Sequence, residues 1–281
     1  MYKLVCILFL VSLLIVSKIR QTNDFPIGHE VHKYLPTIQV EDESLVLQPI
    51  LAPLNDLILE LKNALDSFKQ NESISGVILE GREGIFSAGL DITYLFPKDR
   101  EYIERFWKDF SSILINMFSF PKPLYSSISG HCPAGGTVMV IMTDYRIMAD
   151  GKYVIGLNEV DVGLTVPYGI GHVFQYVVGQ RNAEDLLLKA KLISPQEAIS
   201  AGLIDEVCDL NKLLDTTLER ILIASSLHSN QQAQTKKILR ESTLQIFENN
   251  LDQDTQLILD SWFSNSGQKR LEFLYNKLQK K

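Results

Sequence analysis

Apolar residues at Leu54, Leu57, Leu61, Ala64, Leu65 and Phe68 recur at three- and four-residue spacing and predict an amphipathic helix. The helix leads into the run Ser75-Gly76-Val77-Ile78-Leu79-Glu80, which reads as a buried strand ending in a turn over Gly81 to Gly84. The same order repeats. Tyr102, Phe106, Phe110, Ile113 and Leu114 mark a second helix, Pro121 and Pro123 break it, and Leu124 to Ile128 reads as a strand. Gly130 to Gly136 then reads as a loop opening into an apolar helix, Thr137 to Thr143, followed by short strands at Tyr145 to Met148 and Tyr153 to Ile155. Turns of strand, strand and helix predict an α/β chain wound as a stacked spiral from about Ile38 onward.

Further on, Ser194-Pro195-Gln196-Glu197 has the form of a helix start, with Ser194 as cap, Pro195 at the first helical position and Glu197 completing a capping box. Gly202 suits the matching C-terminal cap. Beyond Asp209 the pattern turns helical and polar, with no strand signal. Its last helix carries Leu271, Leu274, Tyr275 and Leu278 on one face, which needs a partner surface; a second subunit is the expected one.

At 281 residues and 46% hydrophobic content the chain can fill a sizeable core. A net charge of −7, with no clustering of Lys and Arg, argues against nucleic acid as a partner. Cys6, Cys132 and Cys208 are odd in number and widely spaced, so they signal neither a disulfide framework nor a metal site. The N-terminus reads differently from the rest. Lys3 precedes the apolar run Leu4 to Ser17, which Lys18 and Arg20 follow. Its hydrophobicity suits a secretory leader or membrane anchor, whereas the absence of acidic residues before Asp24 suits a mitochondrial leader. Both remain open, and residues 1–35 are expected to stand apart from the fold as a targeting or anchor segment.

Three stretches can carry chemistry: Phe86-Ser87-Ala88-Gly89-Leu90-Asp91, Gly130-His131-Cys132-Pro133-Ala134-Gly135-Gly136 and Gly156-Leu157-Asn158-Glu159. Gly89 permits a tight turn after a strand that aims N–H groups inward, making the Leu90 amide a candidate oxyanion donor; an ordinary strand-to-helix turn is the plainer alternative. The Gly135-Gly136 pair at a helix start offers a second donor, at Gly135, or simply close packing. Glu159 sits in an apolar stretch that continues through Val160, Val162, Gly163, Leu164 and Val166. There a carboxylate is either a general base of raised pKa or a surface loop residue. Asp91 and Asp161 read as turn and polar-face carboxylates, and His131, lacking a nucleophile partner pattern, as a loop histidine.

Taken together, these stretches resemble the crotonase (enoyl-CoA hydratase/isomerase) superfamily, and within it the mitochondrial Δ3,Δ2-enoyl-CoA isomerases. The likeness extends through Asp144-Tyr145-Arg146-Ile147-Met148-Ala149-Asp150, Ser194 to Val207 and Pro53 to Leu57, and covers about Ile38 to the C-terminus. It implies a ββα spiral core over residues 36–208 and a C-terminal helical trimerisation region over 209–281, giving a homotrimer or a dimer of trimers. It further implies that Leu90 and Gly135 donate backbone N–H bonds to the thioester carbonyl of an acyl-CoA and that Glu159 is the base. The backbone of Ala88 would meet the adenine of coenzyme A, with Gly89, Asp91 and Gly136 in the same substrate-binding loops. Coenzyme A would enter as part of the substrate, with no resident cofactor and no metal. Leu164, Val166, Pro167 and Tyr168, just beyond the base, are expected to wall the acyl pocket.

The hydratases of this superfamily use a second glutamate, whose matching position here is Val138. The resemblance therefore points to an isomerase of fatty acid β-oxidation. Glu159 would take a proton from C2 of a 3-enoyl-CoA and return it at C4, forming the trans-2-enoyl-CoA. Another crotonase reaction (hydratase, hydrolase or dienoyl-CoA isomerase) and a non-catalytic acyl-CoA binder are the alternatives. Family membership favours the mitochondrial matrix, while the apolar leader favours a membrane or the secretory pathway.

Overall fold

The computed structural model describes residues 12–17 and 54–279. In chain order its elements are β1 (Ser12–Ser17), α1 (Leu54–Gln70), β2 (Ile74–Glu80), β3 (Gly84–Ile85), α2 (Ile92–Leu95), α3 (Arg100–Phe118), β4 (Leu124–Ile128), β5 (Gly130–Pro133) and α4 (Gly135–Ile141). They continue with β6 (Tyr145–Ala149), β7 (Ile155–Gly156), α5 (Tyr168–Val178), α6 (Gln180–Leu187), α7 (Pro195–Ser200), β8 (Glu206–Cys208), α8 (Leu213–Ser225), α9 (Ser229–Asn249), α10 (Leu251–Trp262) and α11 (Asn265–Gln279).

Successive turns of the chain lay one strand in each of two sheets and then cross by helix. The larger sheet has the order β1-β2-β4-β6-β8, in which β2, β4, β6 and β8 are parallel. The smaller has the order β3-β5-β7 and is also parallel. This is the expected spiral, of the crotonase type. The predicted loop from Gly130 splits in two: Gly130–Pro133 is strand β5, and α4 starts at Gly135. Gly, His, Cys and Pro carry no strand periodicity; pairing on both sides makes the strand. Gly130 is required there because a Cβ would lie 2.0 Å from the Gly84 carbonyl carbon.

The N-terminal apolar run also departs from expectation. Its last six residues form β1, antiparallel to β2 at the sheet edge, so part of segment 1–35 joins the fold; Leu4 to Val11 lies outside the described residues. No described helix is long and apolar enough to cross a membrane.

One continuous core runs from Leu61 and Leu65 of α1 through Phe106, Phe110 and Leu114 of α3 to Ile258, Trp262 and Leu271 of the last helices. The predicted cap of α7 is present: Ser194 accepts from the Glu197 N–H while the Glu197 carboxylate accepts from the Ser194 N–H. Helix α9 is bolted to the spiral by a buried cluster. The Asp144 carboxylate meets Lys236 at 2.5 Å and Arg240 at 2.9 Å and accepts from the Leu124 N–H, and Lys236 also donates to the carbonyls of Phe120 and Lys122. Saturating each charge with partners offsets the cost of removing it from water.

Helix α5 lacks a capping side chain of its own, since Pro167 precedes it. Asp254, buried on α10, caps it instead by accepting from the Tyr168 N–H at 2.6 Å and the Gly169 N–H at 2.8 Å. Gly169 admits this contact because a Cβ would lie 2.0 Å from the Phe247 ring of α9. The C-terminal helices thus pack back onto the part of the spiral that follows Glu159.

Candidate active site

A cavity of about 450 Å³ lies between the spiral and the C-terminal helices. Leu90, Gly135 and Glu159 all line it, so the three stretches of chain singled out in the sequence meet in one place.

The first loop leaves β3 with the N–H groups of Phe86 and Ser87 donating to the His131 carbonyl of β5. Ser87 Oγ accepts from Gly89 N–H, and Gly89 takes φ +87°, a conformation that glycine adopts without strain. Asp91 then caps α2 through Oδ1, accepting from the N–H groups of Thr93 and Tyr94. These bonds fix the chain on both sides of Leu90.

The second loop abuts the first. A Cβ at Gly89 would lie 3.1 Å from Ala134 Cβ and 3.4 Å from Gly135 N, so any side chain there would crowd the neighbouring donor. Gly136 sits behind, where a Cβ would meet Ser87 Cβ at 2.9 Å. Between β5 and α4, Ala134 holds φ +50° and ψ −123°, a region costly for a residue with a Cβ. That strained turn swings the chain from strand to helix and presents Gly135. Neither the Leu90 nor the Gly135 N–H has a hydrogen-bond partner among the described residues. Two adjacent unpaired amides on a cavity wall are what a developing oxyanion requires.

Glu159 follows β7 on a tight turn in which its carbonyl accepts from the N–H groups of Val162 and Leu164. The side chain is partly buried, and Oε2 is shielded with no partner among the described residues. Burial pushes the carboxyl up to about 7, a shift that a hydrogen bond from its own backbone N–H partly opposes. A carboxylate of that pKa in a water-poor pocket can both take and return a carbon-bound proton at neutral pH. The other carboxylate lining the cavity, Asp91, is committed to its cap. Val138, buried on α4, lines the same cavity and brings no acid to it.

Of the expected acyl wall, Leu164, Val166 and Pro167 line the cavity. Tyr168 does not: it begins α5, where Asp254 holds its N–H, and its ring is 43% exposed and stacks with His172. Ala88 lines the cavity beside Leu90, while Gly89 and Gly136 shape the two loops from behind. His131, expected on a loop, lies instead in strand β5, paired with Ile85 of β3, with its Nδ1 accepting from the Val154 N–H. Cys132 is buried, its thiol pKa pushed up by desolvation. Among the described residues no group of three or more His, Cys, Asp or Glu could hold a metal ion.

Several lining residues escaped the sequence reading. Trp107 and Phe110 come from α3, Ile258 from α10, and Leu271, Leu274, Lys277 and Leu278 from α11. The stripe on the last helix, expected to meet another subunit, covers the cavity of its own chain, and Tyr275 packs on Phe96. An apolar stripe reports that a face is covered; it carries no information about which chain covers it.

A match to the enoyl-CoA hydratase/isomerase family model spans residues 52–279 and takes in every one of these site residues. The chain belongs to the enoyl-CoA hydratase/isomerase family. It is 31% identical to mitochondrial enoyl-CoA delta isomerase 1 of Homo sapiens over 233 residues, covering 81% of this chain and 77% of that one. The crystal structure of human mitochondrial Δ3-Δ2-enoyl-CoA isomerase superposes with a TM-score of 0.79 at 30% identity, covering 84% of this chain and 92% of that one. An enoyl-CoA hydratase from Bacillus halodurans shares the fold, with a TM-score of 0.71 at 23% identity over 78% of this chain and 89% of that one. As a family member the chain carries an enzyme's site suited to acyl-CoA thioesters.

Proposed function

We propose that the protein is a Δ3,Δ2-enoyl-CoA isomerase, shifting the double bond of a 3-enoyl-CoA into conjugation with the thioester. The observation that carries this reading is the single uncommitted carboxylate, Glu159, in a cavity whose position for a second acid is filled by Val138. The Leu90 and Gly135 amides hold the thioester oxygen as charge moves onto it. Glu159 removes a proton from C2, leaving a dienolate, and as the carboxylic acid returns that proton at C4. The carboxylate is regenerated, and no water is consumed. Similarity to relatives named as enoyl-CoA isomerases supports the same reading.

Product analysis tests it. Incubation with a 3-enoyl-CoA should give the 2-enoyl-CoA, and incubation with the 2-enoyl-CoA should give little 3-hydroxyacyl-CoA. Rapid hydration of the 2-enoyl thioester would overturn the assignment in favour of a hydratase. No turnover of any acyl-CoA, with binding intact, would leave a non-catalytic binder.

A role in fatty acid β-oxidation in the mitochondrial matrix goes with this reading, supported by the compartment named for the human, mouse and rat relatives. Assembly into trimers is also part of it. With the α11 stripe used inside the chain, the support moves to exposed apolar side chains elsewhere, Ile223 on α8 and Ile238 and Leu239 on α9. Sedimentation at micromolar concentration should report an oligomer; a monomer would remove the trimer.

A further inference from the structure

We infer that Thr137 is a positioning residue that locks the Gly135 donor and the Glu159 base into one frame. The inference rests on the proton-transfer reading above, which needs both groups held at fixed separation.

Thr137 is fully buried on the first turn of α4, two residues after the Gly135 donor. Its hydroxyl donates to the Cys132 carbonyl of β5 at 2.5 Å and accepts from the Gly156 N–H of β7 at 2.9 Å, with the Gly156 carbonyl a second acceptor at 3.1 Å. One oxygen therefore joins three pieces of chain: the strand that leads to the strained Ala134 turn, the helix that presents Gly135, and the strand that delivers Glu159 three residues later. The bridge sits where the strands stop pairing. Cys132 pairs with Ile155 and Pro133 with Gly156, and beyond that the Ala134 N–H makes one last bond to the Gly156 carbonyl at 2.8 Å.

Gly156 has no freedom to compensate. It holds φ +145° with Lys191 O within 2.3 Å of where a Cβ would be, and its neighbour Ile155 exchanges N–H and carbonyl bonds with Ile193. The base strand is thus pinned from one side by the Ile193 segment and from the other by Thr137. Thr137 is not itself part of the cavity lining, so it acts through Gly135 and Glu159.

Thr137→Val keeps the branched shape and removes the hydroxyl, and Thr137→Ser keeps the hydroxyl. Displacing catalytic groups by a fraction of an ångström to one ångström costs up to about 100-fold, so T137V should lower kcat by about 10- to 100-fold with KM nearly unchanged. T137S should restore most of kcat. A second readout is independent of isomerisation: acetoacetyl-CoA, whose enolate absorbs in the near ultraviolet, should bind to the wild type as the enolate and to T137V mainly as the ketone. If T137V does not fold, Thr137→Ala takes its place with the same expected result.

T137V with wild-type kcat and full enolisation would overturn the inference. So would T137S as impaired as T137V, since methyl packing would then be the cause. A wild type that enolises acetoacetyl-CoA without turning over 3-enoyl-CoA would defeat the isomerase reading alone, leaving the enolate comparison to support or overturn the role of Thr137. A wild type that does neither would overturn both.

Discussion

Glu159→Gln is expected to lower kcat by about 10²–10⁴-fold, or roughly 3–5 kcal/mol of transition-state stabilisation, with acyl-CoA binding retained. The amide fills the same space but cannot accept the C2 proton. The wild-type rate should depend on pH in the sense its environment dictates. Burial raises the carboxyl to about 7, so kcat/KM of the free enzyme should climb with pH below that value and level off above it. Stability should run the other way. Because the folded-state pKa lies above the unfolded one, the native state holds the extra proton between about pH 4.5 and 7, and the associated stabilisation, complete below that window, is lost as pH rises through it. E159Q should therefore melt higher than the wild type above pH 7 and lose that advantage at low pH. Thermal melts at several pH values, read beside the rate profile, check both halves. A rate that is indifferent to E159Q would leave proton transfer to some other group.

The second large effect belongs to the backbone. Replacing Leu90 by its α-hydroxy acid, which puts an ester oxygen where the amide N–H stood, should lower kcat by about 10²–10³-fold. The side chain, the Gly89 turn and the Asp91 cap are all preserved, so only the donor is lost. The same exchange at Gly135 should act similarly, and the two together should leave Glu159 unable to form an enolate at a useful rate. Rapid-quench turnover of each ester variant is the measurement. A loss below threefold at both positions would mean that the thioester oxygen is held elsewhere.

Much of this was legible in the sequence because helix periodicity and glycine placement are local signals. The helices α1 and α3, the strand β4 and the capping box of α7 all announce themselves within a few residues. So do the glycine turns: Gly89 permits the positive φ that the tight turn takes, φ +87°. The strands of the smaller sheet were harder to see. Two-residue β3 and β7 and the Gly-His-Cys-Pro strand β5 owe their existence to one another, and no period can show in so short a segment.

The site divided along the same line. Glu159, Leu90 and Gly135 could be found because their three stretches together resemble one superfamily; taken singly, each also suited an ordinary turn, close packing or a surface glutamate. Trp107, Ile258 and Leu274 could not, since an apolar side chain on an amphipathic helix looks the same whether it faces core or cavity. Thr137 escaped for a related reason. A threonine in an apolar helix reads as filler, and only the pairing of β5 with β7 shows that its hydroxyl has strands to bridge.

The fold of α11 onto its own spiral also sets how the enzyme should respond to dilution. Leu271, Leu274 and Leu278 line the cavity from within the chain that carries Glu159, and Arg270 of the same helix pairs with Asp161 at 2.9 Å. Each copy thus supplies these cavity walls from its own last helix. Specific activity toward the tail should not fade as molecules drift apart, and mixing an active copy with a dead one should yield half the sites working, neither rescued nor poisoned by their neighbours.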